Sequence, residues 1–389
     1  MNGVKYLVGD DKILYTGIRA FSNDICGFLA DLSAALMRNR KAAAYADIIS
    51  FAYFCRKSGI ERIKQKYGEE IRFGRGLAFH IAPSNIPINF AFSFVFGLLS
   101  GNSNIVRVSS KTFEQTEIVC GEIAKVIKNY PRIACRNAII TYEADDEINR
   151  HFSEIADVRV IWGGDKTVSY FKSLPCGPRC VDIAFSDRYS IGIIDGNAVA
   201  AASDAKMREL ADAFYNDTYL MDQNACSSPQ IIFWRNADKT VKERFWSCVE
   251  STALKKYSLE AENAVNKYVC LCKDIINSDS DPKCVFENNI LYRVEYNSLP
   301  SDITALRGLC GYFYEYDIAD IADIFSYVTP KFQTMCYFGF ERSELKFLIE
   351  SSELGGIDRI VPFGKSLDIK EIWDGYDIIR SASRVVDIE

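Results

Sequence analysis

Gly76-Leu-Ala-Phe-His-Ile-Ala-Pro-Ser-Asn-Ile-Pro87 changes character at its midpoint, and that change decides the fold. Leu77 to Ile81 is a short apolar run bounded by glycine and proline, which predicts a buried strand. Pro83 to Pro87 is a polar, proline-framed turn, and the apolar stretch from Pro87 to Leu99 predicts a buried helix with proline near its first turn. The same alternation then repeats downstream. Asn104–Val108 predicts a strand, and Thr112–Lys128 predicts a helix with Ile118, Val119, Ile123, Val126 and Ile127 on one face. Ala138–Tyr142, Asp146–Ile155, Val158–Trp162, Lys166–Leu174 and Tyr189–Ile194 continue it as strand, helix, strand, helix and strand. Strands alternating with helices imply right-handed crossovers and a parallel, doubly wound sheet, which binds ligands beyond the carboxyl ends of its strands.

Upstream, the first 65 residues are mostly helical in pattern, with Ile25, Phe28, Leu32 and Leu36 at helical spacing. Downstream, a second α/β series runs from about 198 to 350. Its expected helices are Ala198–Asp217, Thr240–Lys256, Ala261–Ile276, Ile318–Tyr327 and Ser343–Ser351. Its expected strands are Gln230–Trp234, Ile290–Glu295, Tyr312–Tyr316 and Thr334–Phe338. A chain of 389 residues exceeds what one core usually supports, so two α/β domains are expected. The divisions read as 1–195, 196–355 and a C-terminal segment, 356–389, that returns to the first domain or makes an oligomer contact.

Composition narrows the function. A net charge of −6 without a sustained basic run argues against nucleic acid as a main partner. The beginning of the chain has no charged start followed by a sustained apolar core, so no signal peptide is evident. The longest apolar stretch, Ile86 to Leu99, is broken by Asn89 and Ser93 and is too short to span a bilayer. Thirteen cysteines at irregular spacing do not make a disulfide framework, and a reducing cytoplasm fits them best. Neither Cys176/Cys180 nor Cys270/Cys272 has a partner pair at zinc-site spacing, so no metal is expected.

Four segments bear on chemistry. Asp222-Gln-Asn-Ala-Cys-Ser-Ser-Pro229 sets Cys226 among small and polar residues just before the apolar run Ile231–Trp234. A thiol at the lip of a strand is placed like a nucleophile, whereas most cysteines are small core residues, and both readings stand on local sequence. Pro83–Pro87 suits an anion or oxyanion site with Asn85 as an amide donor. A proline-framed turn with an asparagine cap explains it equally well. The polar exit after Asn104–Val108, with Arg107, Ser109, Ser110 and Lys111, suits a ribose or phosphate, or is a solvated strand end. Trp162-Gly-Gly-Asp165 reads as a turn into a helix capped by Asp165, open enough for a pyrophosphate yet lacking the dinucleotide fingerprint. His80 and His151 fall mid-strand and mid-helix and read as packing residues, which leaves few partners for cysteine–histidine hydrolase chemistry.

Taken in order, these segments resemble the aldehyde dehydrogenase superfamily, and within it the LuxC-like fatty acyl-CoA reductases of the bacterial luminescence type. The resemblance runs from about Gly74 to Ile388. It is carried by Gly76–Pro87, Leu98–Ser109, Ile161–Asp165, Met221–Gln230, Lys331–Thr334, and the tail Asp358–Gly364 with Ile372–Tyr376. The resemblance implies two doubly wound parallel-sheet domains with the active site between them. Cys226 matches the acyl-accepting thiol, and Asn85 matches the oxyanion donor. Arg107, Ser109, Trp162, Gly163, Gly164 and Ser84 fall at the nucleotide site. NADPH is expected through a 2′-phosphate contact of Arg107, with NADH possible.

One departure bears on mechanism. Where hydrolytic relatives carry a base glutamate, this chain reads Ala184-Phe-Ser-Asp-Arg-Tyr-Ser190. That favours reduction of an acyl thioester to aldehyde over oxidation of aldehyde to acid, and over a non-redox acyl-transfer subunit. The donor is expected to be acyl-CoA or an acyl-protein thioester. An acyl-activating synthetase partner and a homo-oligomer are expected with it. The chain is also shorter than typical members, chiefly before Gly74.

Overall fold

Two large sheets form because their central strands, such as Leu77–Ile81 and Tyr189–Asp195, are too apolar to leave either face in water. The computed structural model describes residues 3–111, 113–277, 282–286 and 288–389. They gather into two compact units, Met1–Ser186 with Glu371–Glu389, and Asp187–Lys370.

The first sheet has six strands in the order Lys5–Val8, Asn137–Thr141, Ser103–Val108, Leu77–Ile81, Val158–Trp162 and Val181–Phe185. All pairs are parallel except that of Lys5–Val8 with Asn137–Thr141. Chain order reverses at Leu77–Ile81, whose successors lie on one side and Val158–Trp162 on the other. That reversal is a topological switch point, where crossovers leave the sheet on opposite faces and open a crevice at the carboxyl ends. The helix Asn89–Leu99 returns from the central strand as a phenylalanine-rich cylinder buried on nearly every side.

The second sheet has seven strands, in the order Lys283–Val285, Tyr292–Glu295, Tyr312–Ile318, Pro229–Arg235, Tyr189–Asp195, Phe332–Phe338 and Arg359–Pro362. Only Lys283–Val285 pairs antiparallel. Tyr189–Asp195 is therefore a central strand of this sheet, not the last strand of the first alternation, and the division expected at 195 falls at 186/187. Its sequence fits either sheet, since every residue of it is buried. The C-terminal segment is shared. Arg359–Pro362 edges the second sheet, while Ser383–Val385 pairs with Arg72–Gly74 in the first unit.

Other differences have local causes. The helix expected over 198–217 is two, Gly196–Ala201 and Asp204–Asp217, because the Ser203 hydroxyl accepts the Lys206 N–H and restarts the helix. The helix expected from Thr112 begins at Glu114, and Thr112 lies outside the described residues. The sequence reading missed the edge strand Val181–Phe185. Its neighbour supplies the reason it forms. Arg159, buried on Val158–Trp162, makes a bidentate pair with Asp182 at 2.6 and 2.7 Å and donates to the carbonyls of Phe171 and Leu174. One guanidinium thus fastens both the edge strand and the end of the helix Asp165–Ser173.

Arg159→Met removes that clamp and leaves Asp182 without its partner. Urea unfolding is expected to show a loss of about 3 kcal/mol with an unchanged m value, the cost of breaking a buried pair from one side.

Candidate active site

At the switch point of the first sheet, Ile81 is registered between Arg107 and Ile161. The chain leaving it, Pro83–Ile86, thus stands between the exits of the two flanking strands. Ser84 and Asn85 are exposed there. The helix beyond starts at Asn89, and Ile88 holds its capping position without a side-chain bond, so Asn85 is not a helix cap. The Ala82 N–H donates to the Arg107 carbonyl at 3.0 Å, which keeps the two exits together.

Arg107 is half-buried, its guanidinium carbon 4.6 Å from the Tyr142 ring centroid, and its Nε is buried without a hydrogen-bond partner. A donor in that state costs free energy until an acceptor reaches it. Next to it, the Ser109 hydroxyl accepts the Lys111 N–H at 3.1 Å. On the other flank Gly164, not Asp165, occupies the capping position of the helix Asp165–Ser173. A Cβ at Gly163 would stand 2.9 Å from Thr167, whereas one at Gly164 would meet nothing within 4 Å. The helix start therefore has open space before it, as an anionic group needs. The residues present fit a dinucleotide: an orphaned guanidinium nitrogen, a hydroxyl, and an uncovered helix start line one sheet edge.

Behind this edge runs a buried polar chain. Trp162, stacked on Phe185 at 3.7 Å, donates its Nε1–H to the Ser93 hydroxyl at 3.1 Å. Ser93 lies 2.8 Å from His80 Nδ1, and His80 Nε2 lies 3.0 Å from the Asn104 side-chain oxygen. Asn104 donates to the Asn137 side chain at 2.7 Å, and Asn137 donates to the Ile133 carbonyl at 2.6 Å. Every donor finds one acceptor if His80 is neutral with its proton on Nε2. Burial pulls His80 down from its ordinary value to about 4, with the Asn104 contact opposing. His80 is a packing residue that orients Trp162. Gly97 makes room for the chain, since a Cβ there would fall 1.9 Å from Asn104 Oδ1.

In the second unit, Cys226 sits half-buried in the turn before Pro229–Arg235, at the amino end of that strand. Its approach is contorted, for Asp222 and Gln223 both adopt left-handed backbone, at φ 52° and 60°. Such residues cost roughly 1–3 kcal/mol each. The buried Gln223 side chain holds the contortion. Its Nε2 donates to the carbonyls of Pro229 and Tyr312 at 3.2 and 2.9 Å, and its Oε1 accepts the N–H groups of Gly311 and Tyr312 at 3.2 Å each. Gln230 repeats the device, donating to the Gln223 carbonyl and accepting the Gly308 N–H.

Other groups fix the cysteine itself. The Ser190 hydroxyl donates to the Cys226 carbonyl at 2.6 Å and accepts the Thr334 N–H at 3.2 Å. The Ser228 hydroxyl donates to the Asp217 carbonyl at 2.7 Å. The Asp217 carboxylate accepts the N–H groups of Gly364 and Ser366 at 2.6 and 3.0 Å. Burial raises Asp217 and those N–H groups lower it. In the segment without a glutamate, Asp187 is held by Arg307 through two contacts of 3.0 and 2.9 Å, and Lys331 lies 3.6 Å away. Among the described residues no His/Cys/Asp/Glu cluster could hold a metal, and no helix is long and apolar enough to cross a membrane.

The structure brings Ser84, Asn85, Arg107, Ser109, Trp162, Gly163 and Gly164 to one end of the first sheet. Cys226 belongs to the second unit. Sequence reasoning missed Gln223, Gln230 and Ser190. Gln223 stands in the quoted cysteine segment and Gln230 directly after it, and their one signal was amide side chains beside an apolar strand.

Comparison with known proteins gives the family and the fold. The sequence pattern of the family described as acyl-CoA reductase (LuxC) matches residues 60–384. A long-chain acyl-protein thioester reductase of Photorhabdus luminescens is 25% identical over 81% of this chain and 63% of its own length. One of Vibrio harveyi is 22% identical over 81% of the chain and 64% of its own. The chain thus spans less than two thirds of these relatives. Among solved structures, aldehyde dehydrogenase 21 of Physcomitrella patens superposes with a TM-score of 0.66 at 12% identity, covering 93% of this chain and 85% of that one. Thermus thermophilus 1-pyrroline-5-carboxylate dehydrogenase gives 0.63 at 13%, over 93% and 80%. These likenesses show the aldehyde dehydrogenase fold.

The neutral His80 makes stability depend on pH. With its pKa near 6.5 unfolded and about 4 folded, the unfolded chain binds the extra proton between those values. The His80 contribution is intact above pH 6.5 and is lost as pH falls towards 4, by about 3 kcal/mol in all. Urea titrations of wild type and His80→Gln across that window should diverge in this sense. Parallel curves would contradict a neutral His80.

Proposed function

The chain belongs to the acyl-CoA reductase (LuxC) family, and from that premise we propose that it reduces an acyl thioester to an aldehyde through a covalent thioester on Cys226. The observation that carries the reading is the Cys226 turn, in which two buried glutamine amides and the Ser190 hydroxyl hold a half-buried thiol on strained backbone. A cysteine that only filled space would not need that scaffold.

In this reading the Cys226 thiolate adds to the carbonyl carbon of the substrate, and the carrier leaves as its thiol. The oxyanion formed in that step is assigned to the Cys226 backbone N–H and the Asn85 side-chain amide. Arg107, Ser109, Ser84, Trp162, Gly163 and Gly164 are assigned to a reduced nicotinamide dinucleotide, which supplies the hydride when bound. Arg107, with its unpartnered Nε, favours the 2′-phosphate of NADPH over NADH. Collapse of the resulting thiohemiacetal on Cys226 releases aldehyde and restores the thiolate. The segment 184–190 has no glutamate to activate water, and Asp187 is engaged by Arg307, so the Cys226 thioester is protected from hydrolysis. The relatives' names favour an acyl-protein thioester as donor; an acyl-activating partner enzyme and a homo-oligomeric assembly are part of the same proposal and rest on the family resemblance alone.

Cys226→Ala is expected to abolish aldehyde formation from a long-chain acyl thioester, and Asn85→Ala to slow it about 100-fold. Reductase activity surviving in Cys226→Ala overturns the proposal. Arg107→Ala should cut kcat/KM with NADPH about 10-fold or more and leave NADH little changed, as steady-state assays with each dinucleotide would register. An equal loss with both would remove Arg107 from 2′-phosphate recognition.

A further inference from the structure

Helix Ala261–Asn277 buries few side chains, and one of them is a lysine, Lys267, which is 2% exposed. Among the described residues no carboxylate lies within ion-pair distance of its Nζ. Four backbone carbonyls surround it instead. Nζ donates to Asn289 and Cys310 at 2.8 Å each and approaches Ile290 and Gly311 at 3.3 and 3.5 Å. The Tyr292 ring centroid lies 4.6 Å away. Burying a lysine amine without a counter-ion is costly and pulls its pKa down to about 7, so a fold that retains one has a use for its N–H donors.

The carbonyls belong to two neighbouring strand entrances. Asn289 and Ile290 lead into Tyr292–Glu295, and Cys310 and Gly311 lead into Tyr312–Ile318, with Tyr292 registered on Tyr312. Cys310 and Gly311 are both left-handed, at φ 56° and 86°. Their other faces serve the cysteine segment. The Cys310 N–H donates to the Asp222 carbonyl at 3.1 Å, and the Gly311 N–H donates to Gln223 Oε1. Lys267 therefore holds the carbonyl side of the residues whose N–H groups hold Asp222 and Gln223.

The geometry points to Lys267 as a positioning residue for Cys226, acting through the Cys310–Gly311 turn and the Gln223 amide. The inference rests on the reading of Cys226 as the acyl acceptor and deepens it. The lysine touches neither substrate nor thiol. Without its amine four carbonyls lose their donor, the 310–311 turn relaxes, and Gln223 loses the fixed N–H group that keeps 222–226 in place.

The test compares Lys267→Met, Gln223→Met and the double variant of the full chain, at a temperature where near-UV circular dichroism matches wild type. Peptide mass spectrometry follows two rates at Cys226, acylation by a long-chain acyl thioester and alkylation by iodoacetamide. Each single variant is expected to acylate at least 10-fold more slowly, mainly in the rate constant at saturating thioester, and to alkylate at a changed rate. The double variant should be little slower than the worse single one, because both act along one path. Should Lys267→Met not fold, Lys267→Gln, which keeps one donor group, replaces it with a smaller loss in the same direction. Wild-type rates at Cys226 in the folded lysine variant, or losses that multiply in the double variant, overturn the proposal. Failure of the underlying function looks different: wild-type Cys226 would be alkylated but never acylated.

Discussion

The catalytic reading depends on the four hydrogen bonds of one side chain, the Gln223 amide. A turn that must present a thiol cannot bury its own backbone in a ladder, and left-handed residues at 222 and 223 add strain to that deficit. Glutamine is suited to the repair because its amide offers two donors and two lone pairs in one plane. It draws together the strand that follows Cys226 and the neighbouring strand Tyr312–Ile318. Gln230, Ser190 and Ser228 extend the same principle outward, so the backbone around Cys226 is held by satisfied polar groups.

The first unit solves a related problem by other means. A crevice at the switch point needs polar groups facing a ligand and a rigid wall behind them. The wall is the chain from Trp162 through Ser93, His80 and Asn104 to Asn137, buried and fully matched in donors and acceptors. Matched polar networks of this kind fix side-chain orientation, and a broken member is costly. In front of it, Arg107 keeps a nitrogen without a partner. The satisfied wall and the unsatisfied guanidinium nitrogen thus stand side by side at the end of this sheet.

Much of this was legible in the sequence because periodicity reports burial, and burial decides strand and helix in an α/β protein. Leu77–Ile81, Val158–Trp162 and the strand after Cys226 stand close to where their patterns place them. Sheet membership was not legible for Tyr189–Asp195, whose seven buried residues suit any central strand. Val181–Phe185 was missed because its place is fixed by Arg159, a long-range partner that no local window contains. Asn85, Arg107 and the Gly163–Gly164 turn were singled out as candidates because strand exits in such folds are where ligands bind, and their proposed roles come from the family resemblance. Cys226 lies at the amino end of its strand, where that rule does not look, so local residue types and family resemblance had to supply it. Gln223 and Gln230 were in plain view, yet their roles come from contacts with residues 89 and 78 positions away.

The central claim is that Cys226 carries the acyl group. The most direct measurement incubates the protein with a long-chain acyl thioester and no nicotinamide, then locates the trapped adduct by peptide mass spectrometry. The account predicts one acyl group per chain on the peptide containing Cys226, discharged as aldehyde when NADPH is added. An adduct on another of the thirteen cysteines, or one on Cys226 that NADPH leaves untouched, would contradict it.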